Sequence, residues 1–149
     1  VGIEKKIKQK KFEDEYHKTL LNILFIADSF QNNLAKILKA HQLTIPQYNI
    51  LRILKGSHPN SVSPSYIKQV IIYKGSDITR LIDRLAIKKL VKRNHSQQDR
   101  RKIQVLILST GIELLEALSP QINELRKSYF EDKVTLKEAK LINTILDKI

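Results

Sequence analysis

The chain has 149 residues, with 27 Lys and Arg against 15 Asp and Glu, a formal charge of +12, and no Cys, Met or Trp. That length suits one hydrophobic core and is short for two, while the lack of Cys excludes a disulfide framework, a thiolate zinc site and a thiol redox switch. The charge balance favours polyanionic partners, with nucleic acid ahead of membrane surfaces.

At the N-terminal end, KKIKQKK at 5–11 reads as a solvated basic tail without an assigned role. Lys and Glu stand where the apolar stretch of a secretory signal would follow, and LLNILFIA at 20–27 is broken by Asn22. It falls far short of the ~20 apolar residues that span a bilayer. A cytoplasmic protein with no membrane contact is expected. From Phe12 to His41 the apolar residues Tyr16, Leu20, Ile23, Leu24, Ala27, Phe30, Leu34, Ile37 and Leu38 recur at steps of three and four, which predicts one long helix. One small core cannot cover it, so its first half is expected to meet another chain.

Thr44 and Gln47 form a capping box, in which hydroxyl and amide each satisfy a free backbone N–H, and a helix follows to Gly56. Ser63 before Pro64 starts a short helix through Tyr66, Ile67 and Val70, broken by Lys74 and Gly75. Ser76 or Gly75 caps the next helix, which runs to about Lys88. Its apolar face is Ile78, Leu81, Ile82 and Leu85, leaving Ser76, Asp77, Thr79, Arg80, Asp83 and Arg84 pointing elsewhere. After Leu90 the period changes to two: Ile103, Val105 and Ile107 share one side of a strand that pairs with LVKRNH, and the tip carries Asp99, Arg100, Arg101 and Lys102. Thr110 with Glu113 can cap a further helix, Pro120 predicts a kink or break near Leu118, and Thr135 with Glu138 caps a final helix.

Two short helices, a tight turn and a hairpin follow the order of a winged helix-turn-helix, whose second helix lies in the DNA major groove. Ser76 and Thr79 stand near the start of that helix, and Arg80 and Arg84 add guanidinium forks. Between Lys74 and Lys102 ten basic residues face three acids, so +7 of the total +12 is concentrated in a fifth of the chain. Such concentration argues for a footprint on phosphate.

In this order and spacing, LTIPQYNILRIL at 43–54, SDITRLIDRLAIKKLVKR at 76–93 and DRRKIQVLILSTG at 99–111 resemble the MarR family of winged-helix transcription regulators. The resemblance implies a mainly α fold with a small β-hairpin wing: one domain over 1–149, with a winged helix-turn-helix at 44–109 and dimerisation helices at 12–41 and 110–149. It implies that Arg101 enters the minor groove while Asp99 pairs with a nearby arginine and fixes the loop. The DNA-binding set is then Ser76, Thr79, Arg80, Arg84, Lys92, Arg93, Asp99, Arg100, Arg101 and Lys102. Two positions depart from the family pattern. Lys89 replaces the usual Gly after the recognition helix, which requires another turn geometry or a strained residue, and Leu108 replaces a usual Thr, which moves the next cap to Ser109 or Thr110.

The family also implies a homodimer. The residues ask for one independently, because Tyr16, Leu20, Ile122, Leu125, Tyr129, Ile142 and Ile145 exceed what a three-helix winged core can cover. Relatives that sense small lipophilic molecules hold them where dimer helices meet the winged domain, which singles out Phe30, His41, Tyr48 and Tyr66. A dimeric repressor of a pseudo-palindromic operator, released by a small-molecule effector, is the expected function. The alternative is a winged-helix module that binds an acidic protein. No catalytic role, metal or cofactor is expected: His17, His41, His58 and His95 are scattered, and no Gly-rich phosphate loop, nucleophile elbow or paired catalytic carboxylates occur.

Overall fold

The computed structural model describes residues 2–149. In chain order they form α1 (Ile3–Lys6), α2 (Glu15–Lys39), α3 (Ile45–Ser57), α4 (Pro64–Val70), α5 (Ile78–Ile87), β1 (Val91–His95), β2 (Ile103–Ile107), α6 (Ser109–Tyr129) and α7 (Leu136–Leu146).

Most helix starts are local chemistry. Both capping boxes form, Thr44 with Gln47 on α3 and Thr135 with Glu138 on α7, and the Ser63 hydroxyl accepts from the Tyr66 N–H to start α4. Other boundaries differ from expectation. Gly56 does not end α3 in a left-handed conformation; the helix continues to Ser57 and stops because Pro59 disfavours helical geometry at His58. α4 ends at Val70, before Lys74 and Gly75. The cap of α5 is Asp77 rather than Ser76 or Gly75, its carboxylate accepting from the Arg80 N–H at 3.1 Å. Pro120 does not break α6. Pro120 and Glu116 both lie on the exposed side, so the Glu116 carbonyl that loses its helical partner meets water.

The N-terminal segment is not merely a solvated tail. Ile3 is buried, Lys18 Nζ donates to Glu4 Oε1 at 2.8 Å, and Lys6 lies 5.1 Å from the centre of the Phe25 ring. That Lys18 hydrogen bond holds the Glu4 carboxyl below its ordinary range and raises the lysine. α1 is thereby strapped to the first half of α2.

One core joins Leu34 and Leu38 of α2, Ile50, Leu51 and Leu54 of α3, Ile67 of α4, Ile82 and Leu85 of α5, Val91, Val105 and Ile107 of the ribbon, and Leu115 and Leu118 of α6. The ribbon is antiparallel with Val91 opposite Ile107 and His95 opposite Ile103. Val62 adds a short third edge, exchanging hydrogen bonds of 2.9 and 2.8 Å with Val105. This pairing fixes the wing against the start of α4. By contrast, α7 has no buried residue, and the first half of α2 leaves Tyr16 and Leu20 85% and 55% exposed.

Candidate nucleic-acid interface

Helix α5 faces the core with Ile78, Ile82 and Leu85, which recur at four and three residues and so occupy one stripe. Geometry then directs Thr79, Arg80 and Arg84 outward, and all three are exposed, while Ser76 is half-buried just ahead of the Asp77 cap. Ile87, seven residues after Arg80, lies on the same outer stripe and is 80% exposed. The sequence predicts a polar outer face and does not single out Ile87, although its i, i+7 spacing from Arg80 places it there.

The helix ends in a Schellman motif. Leu90 N–H donates to the Leu85 carbonyl at 3.1 Å, Lys89 N–H donates to the Ala86 carbonyl at 2.9 Å, and Leu90 packs into the core. Lys89 occupies the left-handed position with φ 57°, so it is the strained residue that its replacement of glycine implied. Thr110 does not cap α6. Its hydroxyl donates instead to the Lys89 carbonyl, and Leu108 is the N-cap without any side-chain bond. Lys88 Nζ donates to the carbonyl of Gln42, which closes α2 in a left-handed turn of its own. Gly111 is required by proximity, because a Cβ there would lie 2.5 Å from the Leu90 carbonyl oxygen.

At the wing, Asp99 does not pair with an arginine; among the described residues it takes part in no ion pair. Its carboxylate accepts from the Arg101 N–H at 3.0 Å, and its carbonyl accepts from the Lys102 N–H at 2.9 Å. Asp99 still shapes the loop, through the backbone rather than through a guanidinium. Arg93 forms the ion pair instead, with Asp83 of α5, and so ties β1 to that helix. Lys92, Arg100, Arg101 and Lys102 are exposed, and Arg101 and Lys102 line a cleft with Ser63, Pro64 and Ser65 at the start of α4.

The remaining candidates separate into groups. Phe30 packs edge-on against Tyr129 at 5.3 Å, Tyr48 is half-buried with its phenol pushed up by that burial, His41 is exposed, and Tyr66 is 44% exposed. The clefts along α5 and around the wing contain none of these four. Of the expected interface residues, Tyr16, Leu20, Ile142 and Ile145 stand exposed. Ile122 and Leu125 pack against the chain's own core, and the Tyr129 hydroxyl lies 2.6 Å from Ser29 Oγ and 2.9 Å from Asn33 Nδ2. Among the described residues, no group of three or more His, Asp or Glu side chains comes together as a metal site, and no helix is long and apolar enough to cross a membrane.

A three-helix core that leaves the outer face of its last helix open, and continues into a ribbon pinned by Val62, is a winged helix-turn-helix. Residues 33–118 match the family described as Transcriptional regulator SarA/Rot, and the chain belongs to that family of regulators. The HTH-type transcriptional regulator PrsX of Escherichia coli is 30% identical over 122 residues, covering 78% of this chain and 74% of the relative. The HTH-type transcriptional repressor IacR of Pseudomonas putida is 27% identical over 139 residues, covering 91% and 81%. Among solved structures, the MepR–DNA complex of S. aureus has a TM-score of 0.77 at 20% identity over 93% of this chain and 96% of that one. The fold is that of the MarR-like regulators, in agreement with the resemblance read from the sequence.

Proposed function

We propose that the chain acts as a homodimeric, sequence-specific DNA-binding repressor of a pseudo-palindromic operator. In each subunit, α5 enters the major groove with Thr79 and Arg80 toward base edges and Ser76 behind them, while Arg84 and Lys92 hold phosphates. Arg101 slips into the adjacent minor groove, where the negative potential of a narrow A·T stretch attracts a guanidinium. Arg100 and Lys102 add charge at the wing, and Arg93 serves by fixing the wing to α5. The observation that carries this reading is the joint exposure of the α5 stripe and of Arg101, on two elements that Asp83 and Arg93 lock together.

Dimerisation has its own support in surface area. The chain exposes 11054 Å², whereas a compact monomer of 17.3 kDa exposes about 7,800 Å² by the usual scaling. The excess is roughly 3,200 Å² per chain, or about 6,400 Å² for two, more than the 2,000–5,000 Å² in total that permanent dimers commonly bury, so a dimer interface would account for part of it. Two α5 helices would then address half-sites ~34 Å apart. A small-molecule effector belongs to the same proposal, and it requires a second copy to join Phe30, His41, Tyr48 and Tyr66 into one crevice.

Titrating labelled duplexes at several salt concentrations tests the reading. Affinity is expected to fall by about 0.9 log units per decade of salt for each phosphate neutralised. Arg80→Ala is expected to lose about tenfold in affinity and to relax sequence preference, and Arg101→Ala to lose affinity most on A·T-rich half-sites. A shallow salt slope with no sequence preference would sink the proposal in favour of an acidic protein partner.

A further inference from the structure

The wing tip, Ser96 to Lys102, is closed by its own hydrogen bonds. Ser96 N–H donates to the Lys102 carbonyl at 2.7 Å, Lys102 N–H to the Asp99 carbonyl at 2.9 Å, Arg101 N–H to the Asp99 carboxylate at 3.0 Å, and Gln98 N–H to the Ser96 hydroxyl at 3.2 Å. The Ser96 and Asp99 side chains therefore build the loop. Gln97, Gln98, Arg100 and Arg101 are exposed, and their side chains make no hydrogen bond among the described residues. Together with the exposed Lys102, these four are what the tip offers to a partner.

They divide between two flanks. Arg101 faces the cleft shared with the start of α4, whereas Gln97 and Arg100 line one with His95 and Ser96. Gln97 and Gln98 also border a cleft that continues to Asn94 and Gln104. The two free carboxamides thus border clefts that run past His95, Ser96 and Gln104 to Ser61, whereas the cleft at the start of α4 sets Arg101 and Lys102 beside the hydroxyls of Ser63 and Ser65.

The difference is chemical. In the minor groove an A·T pair presents acceptors alone, and a G·C pair adds one donor, the guanine 2-amino group. A guanidinium only donates, so Arg101 responds to potential and width but cannot accept from guanine. A glutamine side chain can, through Oε1.

We infer that Gln97 and Gln98 give the wing a direct readout of sequence, accepting a hydrogen bond from the 2-amino group of a guanine beside the A·T step that Arg101 occupies. This rests on the entry of the wing into the minor groove proposed above.

The test uses the full chain and its preferred duplex. Inosine is substituted for each guanine in turn, which removes the 2-amino group and leaves the major-groove edge unchanged. Wild-type protein is expected to lose about tenfold in affinity at one or two positions per half-site. The Gln97→Ala/Gln98→Ala protein is expected to be indifferent to inosine at those positions, while Arg101→Ala still lowers its affinity. The inference is overturned if no inosine weakens wild-type binding, or if inosine weakens both proteins equally. The Arg101→Ala protein separates the two levels: weak binding by it with silent inosines removes only the amide readout. Unimpaired binding by Arg101→Ala removes wing entry, and the amide readout with it.

Discussion

Lys89 holds a left-handed backbone that costs a non-glycine residue roughly 1–2 kcal/mol. Lys89→Gly relieves that strain and gives part of it back as extra freedom in the unfolded chain. The expected result is a Tm higher by about 2 °C in a thermal melt; an unchanged or lower Tm would show that the Lys89 side chain compensates for its backbone. Asp99 separates two accounts of the wing. Because its carboxylate accepts from a backbone N–H, Asp99→Asn keeps an acceptor in place, and Asp99→Ala does not. DNA titrations are expected to give near-wild-type affinity for the Asn protein and about tenfold weaker binding for the Ala protein. Equal loss in both would restore the arginine pairing that the family pattern implied. Lys89 was legible because a missing glycine leaves few conformational choices. The Asp99 contact was not, since a carboxylate beside two arginines and a turn backbone has partners of both kinds within reach.

At the level of elements, the legible boundaries were those decided within four residues. Thr44 with Gln47, Ser63, and Thr135 with Glu138 all cap as their spacing requires. Where neighbouring residues competed, tertiary contact chose. Ser76 and Asp77 can both cap, and burial of Ile78, Ile82 and Leu85 sets the helix start so that Asp77 does. Thr110 is drawn away from α6 by the Lys89 carbonyl, 21 residues earlier in the chain. The Val62 edge and the four-residue α1 carry no local pattern, because each exists only through a distant partner. The capping box of α7 yields a pH prediction. The Thr135 hydroxyl and backbone hold the Glu138 carboxyl below its ordinary value, so its contribution is complete above the unfolded value near 4.5 and is lost as pH falls through the folded one. Amide exchange in the first turn of α7, taken relative to its intrinsic rate at each pH, is therefore expected to quicken on acidification below that value, and Glu138→Gln should flatten the response while keeping an acceptor. A quickening of equal size in the Gln protein would assign the effect to other groups.

For the whole molecule, the sequence made α5 and the wing legible because their charge is concentrated, and it made the expectation of a partner legible because apolar residues exceeded one core. Within one chain that excess divides in two. Ile122, Leu125 and Tyr129 turn to α2 and the chain's own core, whereas Tyr16, Leu20, Ile142 and Ile145 remain outside, and periodicity alone cannot tell which neighbour a stripe meets. Leu20→Lys/Ile145→Lys, at positions already exposed in one chain, should leave the monomer folded. Sedimentation velocity is expected to shift from dimer to monomer at micromolar concentration, with the concentration dependence of Tm lost; a variant that stays dimeric would move the interface elsewhere. The adjacent Lys88 and Lys89 have a mechanical meaning beyond their bonds. One is moored to the tail of α2 and the other to the head of α6, so α5 hangs from both like a yoke. A shear between those two long rods would load both tethers at the C-terminal end of α5.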